Sequence, residues 1–181
     1  MTWPVRRTRV VYENAWLRVR EDAVVRPDGS PGVFGVVELR RPAVFVVALT
    51  GADEVVLVTV DRHTVGRSVE VPAGGTDGDD PLVAAERELA EETGLAATEW
   101  QQVGTMNALN GVCRAPETVF LARGLTPVSG ADEHARAEEG IAAVTTVPVS
   151  EVLGMLRDGT ITDGETIAAL MLALTALGRV G

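Results

Sequence analysis

Between Val71 and Leu95 the sequence reads VPAGGTDGDDPLVAAERELAEETGL, and this stretch constrains the chain more than any other. Asp80 followed by Pro81 starts a helix: the carboxylate can cap a free backbone N–H, and the proline stands where no donor is needed. Gly94 after Thr93 stops it. At about 100° per residue, Glu88, Glu91 and Glu92 fall within an arc of about 100°. Leu82, Ala85 and Leu89 lie beside that arc, a stripe that can face a core. Three carboxylates crowded on one side of a helix repel one another in water. A solvated acidic face accommodates them, and so does a hard divalent cation such as Mg²⁺, which takes oxygen ligands of this kind.

The segment ahead of the helix bears on that choice. With it, the stretch resembles the signature of the Nudix hydrolases, G-x5-E-x7-R-E-U-x-E-E-x-G-U, where U is aliphatic. Arg87-Glu88-Leu89-Ala90-Glu91-Glu92-Thr93-Gly94-Leu95 matches the second half at every fixed position. The first half departs from it. Asp79 stands where the family has Glu, and Gly74 precedes it by one residue too few, with Ala73 at the family's spacing. The resemblance implies cleavage of nucleoside diphosphates linked to another group. It also implies that Arg87 ties the helix to the preceding loop, through Asp79 or through a carboxylate of the cluster.

A chain of 181 residues, 46% of them hydrophobic, supports one substantial core. The 26 acidic residues outnumber the 16 basic ones, for a formal net charge of −10, which argues against duplex nucleic acid as a partner. A small phosphorylated substrate stays compatible if cations are recruited locally. The sequence contains no lysine, so its fixed positive side chains are all Arg. Arg6, Arg7 and Arg9 precede no apolar segment of signal-peptide type, and no run approaches the roughly 18 apolar residues of a membrane span. The single cysteine, Cys113, excludes an internal disulfide framework and fits a reducing cytoplasm.

Trp16–Val25 and Val33–Leu39, separated by the turn signal RPDGSPG, read as an antiparallel strand pair. Arg41-Pro42 breaks it. Ala43–Leu49 is a continuous apolar run, expected as a buried strand, and Val55–Val60 and Val65–Val71 follow. Beyond the helix, Gln101–Leu109 and Thr118–Ala122 read as strands flanking a loop at Asn110–Glu117, and Ile141–Val147 as a last strand. Ser150–Arg157 and Asp163–Leu177 read as helices, the second capped by Asp163. The expected class is α+β: an α/β/α sandwich around a mixed β-sheet with an N-terminal antiparallel strand pair. Residues 1–42 would form that N-terminal element and residues 43–181 the catalytic domain.

The resemblance covers nearly the whole chain. The segment from Tyr12 to Val44 is similar to the start of the ADP-ribose pyrophosphatase branch, in which an N-terminal element is exchanged between two subunits. Val60–Arg67 with Val69-Glu70-Val71-Pro72-Ala73-Gly74 resembles that branch's Q-Y-R-x-x-x-G-R … E-L-P-A-G. Asp158–Ile167 resembles its closing G-x-I-x-D-x-K-T-I. The resemblance thus implies a homodimer, a Nudix-type fold, and a Mg²⁺ or Mn²⁺ cofactor held by Glu88, Glu91, Glu92 and the Ala73 carbonyl. It implies that Arg62 contacts the pyrophosphate, that Glu70 lies near substrate or near Arg62, and that Trp16 stacks on the base or packs in the core. The catalytic base falls on Glu138, with Glu139 as the nearest substitute and Glu133 a remoter one, because Gly140 replaces a second carboxylate. Ala115 stands where many relatives carry a substrate-binding Glu.

The implied reaction is metal-assisted attack of water on a pyrophosphate, converting ADP-ribose to AMP and ribose 5-phosphate. Glu138, or failing that Glu88 or Glu92, accepts the proton. Two other readings stay open. One is hydrolysis of a different nucleotide sugar or dinucleotide; the other is a catalytically silent nucleotide-binding module, suggested by Asp79, the short loop, Ala115 and Gly140.

Overall fold

The computed structural model describes residues 3–128, 136–137 and 139–180. The chain forms two compact units: Met1–Pro42 with Asn107–Pro116, and Ala43–Met106 with Glu117–Gly181.

In the first unit, β1 (Val5–Glu13), β2 (Leu17–Val25) and β3 (Pro31–Leu39) form an antiparallel sheet, which β10 (Cys113–Arg114) joins in parallel beside β3. Local side chains make the turns. Asn14 Oδ1 accepts the N–H groups of Trp16 at 2.8 Å and Leu17 at 2.9 Å. Asp28 Oδ1 accepts from the Ser30 N–H at 2.9 Å, while Gly29 takes the left-handed φ of 84° that the turn requires. Two features go beyond the sequence expectation: the strand pair has a third member in β1, and the Asn110–Glu117 loop contains the short β10. β1 is polar yet pairs because its side chains find partners across the ladder. Thr8 Oγ1 donates to Asp22 Oδ1 at 2.7 Å, and Arg9 meets Glu21 at 3.2 Å. Every residue of β1 is exposed.

The second unit is a layered α/β/α arrangement. Strands β4 (Ala43–Ala48), β5 (Glu54–Arg62), β6 (Gly66–Glu70) and β7 (Ala73–Gly75) lead to α1 (Pro81–Thr93). After it come β8 (Leu95–Ala96), β9 (Glu99–Asn107), β11 (Pro116–Arg123), β12 (Thr126–Pro127) and β13 (Ile141–Pro148), then α2 (Val149–Asp158) and α3 (Gly164–Ala176). The sheets run β7-β4-β11-β9 and β13-β5-β6, with the small pair β12-β8. β4 and β11 are parallel neighbours, so the central sheet is mixed.

The two-residue period of β4 and β11 divides the core between the helix layers. Val44, Val46, Ala48 and Phe120 pack with Ala84, Ala85 and Leu89 of α1. Val47, Val119 and Leu121 pack with Val152 of α2 and Leu170, Ala173 and Leu174 of α3. The helix α1 begins and ends where its caps place it: Asp80 Oδ1 accepts the Leu82 N–H at 2.9 Å, and Gly94 closes it at φ 72°. Asp163 caps α3 by accepting the Thr166 N–H at 2.7 Å. Among the described residues no helix is long and apolar enough to cross a membrane.

Candidate active site

The site is built in the second unit, where the loop after β6 meets the carboxylate face of α1. Burial divides the three glutamates of that helix. Glu88 and Glu92 are buried, whereas Glu91 is exposed. Arg87 Nη1 lies 2.9 Å from both Glu88 Oε1 and Glu91 Oε2, so it bridges the buried carboxylate and the exposed one. Its Nη2 donates to the Gly75 carbonyl at 2.7 Å, which pins the helix to β7.

Of the two partners expected for Arg87, it meets the cluster carboxylates; the loop carboxylate beside it is Asp77, at 3.9 Å, and not Asp79. Asp77 and Gly78 both take positive φ, 55° and 97°, and this double left-handed turn gives the position beside Arg87 to Asp77. Asp79 instead closes the turn through its backbone, donating to the Thr76 carbonyl at 2.9 Å. Gly74 has a steric reason. A Cβ there would lie 2.1 Å from Glu88 Oε1, so the carboxylate occupies the space that a side chain would need.

Glu92 Oε2 accepts the Ala73 N–H at 3.0 Å. Burial pushes the Glu92 carboxyl up to about 8; the Ala73 N–H opposes the shift, and the charges of Glu88 and Glu139 add to it. Burial also raises Glu88, against the pull of Arg87. Neighbouring buried carboxylates in this state call for positive charge. Among the described residues no three His, Cys, Asp or Glu side chains converge as a complete metal-ligand set.

Arg62 stands at the turn end of the β5–β6 hairpin, opposite Gly66, and Glu70 at its other end, opposite Val58, so their side chains meet by reaching along the ladder. The guanidinium grips the carboxylate at two points, Nε to Oε1 at 3.1 Å and Nη2 to Oε2 at 2.5 Å. Glu70 is buried while the Arg62 side chain is 44% exposed, so the pair presents its cationic end outward. Hydrogen bonding to Glu70 raises the Arg62 pKa further, and the charges of Glu92 and Asp163 also act on it.

The remaining expected residues fall as follows. Glu138 and Glu133 lie outside the described residues. Glu139 is exposed, and its charge reaches Glu88 and Glu92. Gly140 holds φ 79°, its carbonyl accepts the Asp61 N–H at 2.9 Å, and a Cβ there would sit 3.2 Å from the Asp61 carbonyl oxygen. Trp16 belongs to the first unit and is 75% exposed, so it is not a core tryptophan.

Sequence reasoning passed over a second acidic group. Glu117, the second residue of β11, is 5% exposed, and its Oε2 has no hydrogen-bond partner among the described residues. Burial drives its carboxyl up to about 7, with Glu165 and Asp163 contributing in that order. The available signal was a carboxylate at the head of the apolar run Thr118–Ala122.

Comparison with known proteins agrees with this architecture. Residues 39–170 match the NUDIX domain, and residues 3–37 match the nucleoside diphosphate sugar hydrolase N-terminal domain. An ADP-ribose pyrophosphatase of Mycobacterium tuberculosis is 32% identical over 167 residues, covering 91% of this chain and 79% of that protein. A CMP-5'-(N-acetyl-N-hydroxy-3-aminopropyl)phosphonate hydrolase of Streptomyces rubellomurinus is 30% identical over 183 residues, covering 98% and 84%. The crystal structure of an ADP compounds hydrolase shares the fold, with a TM-score of 0.84 at 20% identity over 99% of this chain and 98% of that one. The domain match and these relatives establish that the chain belongs to the Nudix hydrolase family.

Proposed function

We propose that the protein hydrolyses the pyrophosphate bond of a nucleoside diphosphate linked to a second group, with ADP-ribose as substrate and AMP and ribose 5-phosphate as products. The observation that carries this reading is the pair of buried carboxylates, Glu92 bonded to the Ala73 N–H and Glu88 paired with Arg87, which also reaches the Gly75 carbonyl. The similarity to a protein named ADP-ribose pyrophosphatase supports the choice of substrate. The phosphonate hydrolase relative supports the wider class, in which the nucleotide side is kept and the other half varies.

Glu88 and Glu92 offer a divalent cation, Mg²⁺ or Mn²⁺, two buried oxygen donors, both raised in pKa by burial. Glu88 and Glu92 would hold it, with Glu91 and the Ala73 carbonyl as further ligands. Bound there, the cation would supply charge neutralisation at the phosphoryl oxygens and acidify water. The chain's own residues do the rest. Arg62, oriented by Glu70, offers Nη1 to a phosphate oxygen. Water attacks one phosphorus, the bridging P–O bond breaks, and Glu138 or Glu139 accepts the proton. Arg87 keeps α1 and the loop in register, since a small displacement of reacting groups is costly in rate.

The N-terminal unit serves as a dimerisation element. Its support is β1, exposed along its whole length with Val5, Val10, Val11 and Tyr12, and the nearby Trp16. A cytoplasmic setting accords with the single cysteine.

Glu92→Gln keeps the shape and the bond from Ala73 while removing the charge. It is expected to lower kcat by about 10²–10⁴-fold with Tm unchanged or raised. Full activity in folded Glu92→Gln would remove α1 from the mechanism.

A further inference from the structure

Val71 lies one residue past the end of β6 and is buried, so its N–H leaves the strand ladder where water cannot replace the lost partner. Thr166 Oγ1 accepts that N–H at 3.2 Å, from 95 residues further along the chain. Thr166 is itself fully buried, in the first turn of α3. Its own N–H is held at 2.7 Å by the capping carboxylate of Asp163, which fixes the turn that carries the hydroxyl. A threonine hydroxyl can accept as well as donate, whereas valine, which has nearly the same shape, can do neither.

The segment that Thr166 holds stands between two working groups of the candidate site. On one side of Val71, Glu70 grips Arg62. On the other side, the peptide joining Pro72 and Ala73 is held at both of its ends. The Val46 N–H donates to the Pro72 carbonyl at 2.8 Å, and the Ala73 N–H donates to Glu92 Oε2 at 3.0 Å. Pro72 restricts rotation between these anchors. Three elements thus each hold one point of residues 71–73: α3 through Thr166, β4 through Val46 and α1 through Glu92. A buried N–H that loses its acceptor is costly, so without Thr166 the segment must turn to find another. The Ala73 peptide would turn with it, away from Glu92.

We propose that Thr166 is a positioning residue: by holding the Val71 N–H it sets the Ala73 peptide against Glu92, and so fixes the oxygen donors offered to a divalent cation. This rests on the reading of Glu88 and Glu92 as the cation site.

The test is Mn²⁺ binding, read from the electron paramagnetic resonance signal of the free ion, with Tm measured alongside. Thr166→Val keeps the shape and removes the acceptor, and it is expected to weaken Mn²⁺ binding by about tenfold or more. Thr166→Ser restores the oxygen and should stay within about threefold of the wild type. Leu174→Ala, which opens a cavity in the core beneath the same helix, should lower Tm and leave the Mn²⁺ affinity unchanged. Unchanged affinity in folded Thr166→Val, or an equal loss in Leu174→Ala, overturns the proposal and gives Thr166 a purely structural part. If Thr166→Val does not fold, Thr166→Ala is read by the same standard. A wild type that binds no Mn²⁺ overturns the cation reading itself, whereas wild-type binding that Thr166→Val retains overturns the positioning role alone.

Discussion

Single residues set the electrostatics of this site. Arg87 divides its guanidinium among Glu88, Glu91 and the Gly75 carbonyl, so one cation both restrains the acidic cluster and holds the helix to its loop. Gly74 is glycine because Glu88 fills the space where a Cβ would be. Glu117 has a folded-state pKa of about 7, above its ordinary 4.5, because it is buried among carboxylates. A raised carboxyl pKa means that the folded protein holds a proton the unfolded chain has already released. Its stabilising contribution is full below the unfolded value of 4.5 and is lost as pH rises through about 7. Denaturant unfolding without added metal is therefore expected to show wild-type stability falling between about pH 5 and about pH 8. Glu117→Gln should reduce that slope, leaving the share due to Glu92, whose carboxyl is pushed up to about 8. An equal slope in both proteins would place the titration elsewhere.

At the scale of elements, what the sequence disclosed was whatever local chemistry decides. The helix α1 could be read from Asp80, Pro81 and Gly94 because caps act within one turn, and the structure places them as caps. Asp80→Ala is expected to cost about 1 kcal/mol and lower Tm by about 2–4 °C, measured by thermal unfolding. No shift would mean that packing alone sets the start of the helix. The buried strand at Ala43–Ala48 was equally plain, as an apolar run bounded by Pro42 and Gly51.

Other elements depended on distant partners. β1 was not read as a strand, since the partners of Thr8 and Arg9, Asp22 and Glu21, are 14 and 12 residues away. Asp77 rather than Asp79 came to Arg87 through a pair of positive φ angles that spacing does not encode. Glu117 became an orphan only through the register of β11, β4 and β7. The Arg62–Glu70 meeting is intermediate: one hairpin carries both residues, but two long side chains must span its length to meet.

At the scale of the molecule, a chain with net charge −10 places two of its 16 basic residues at the candidate site. Arg62 and Arg87 stand at the site, each held by carboxylates that aim it. The first unit presents a strand with both faces open to solvent, which a second copy would cover. Sedimentation equilibrium is expected to give twice the chain mass of 19.1 kDa, and Val11→Glu, on β1, to shift it toward one chain. A wild-type monomer would assign β1 another role.

One measurement bears most directly on the hydrolase reading: chromatographic analysis of ADP-ribose incubated with the purified protein in Mg²⁺, in Mn²⁺ and in chelator. The site described above predicts AMP and ribose 5-phosphate in equal amounts with either metal, and neither product in chelator. Intact ADP-ribose under all three conditions, with the nucleotide still raising Tm, would contradict it and leave a protein that binds through this site without cleaving.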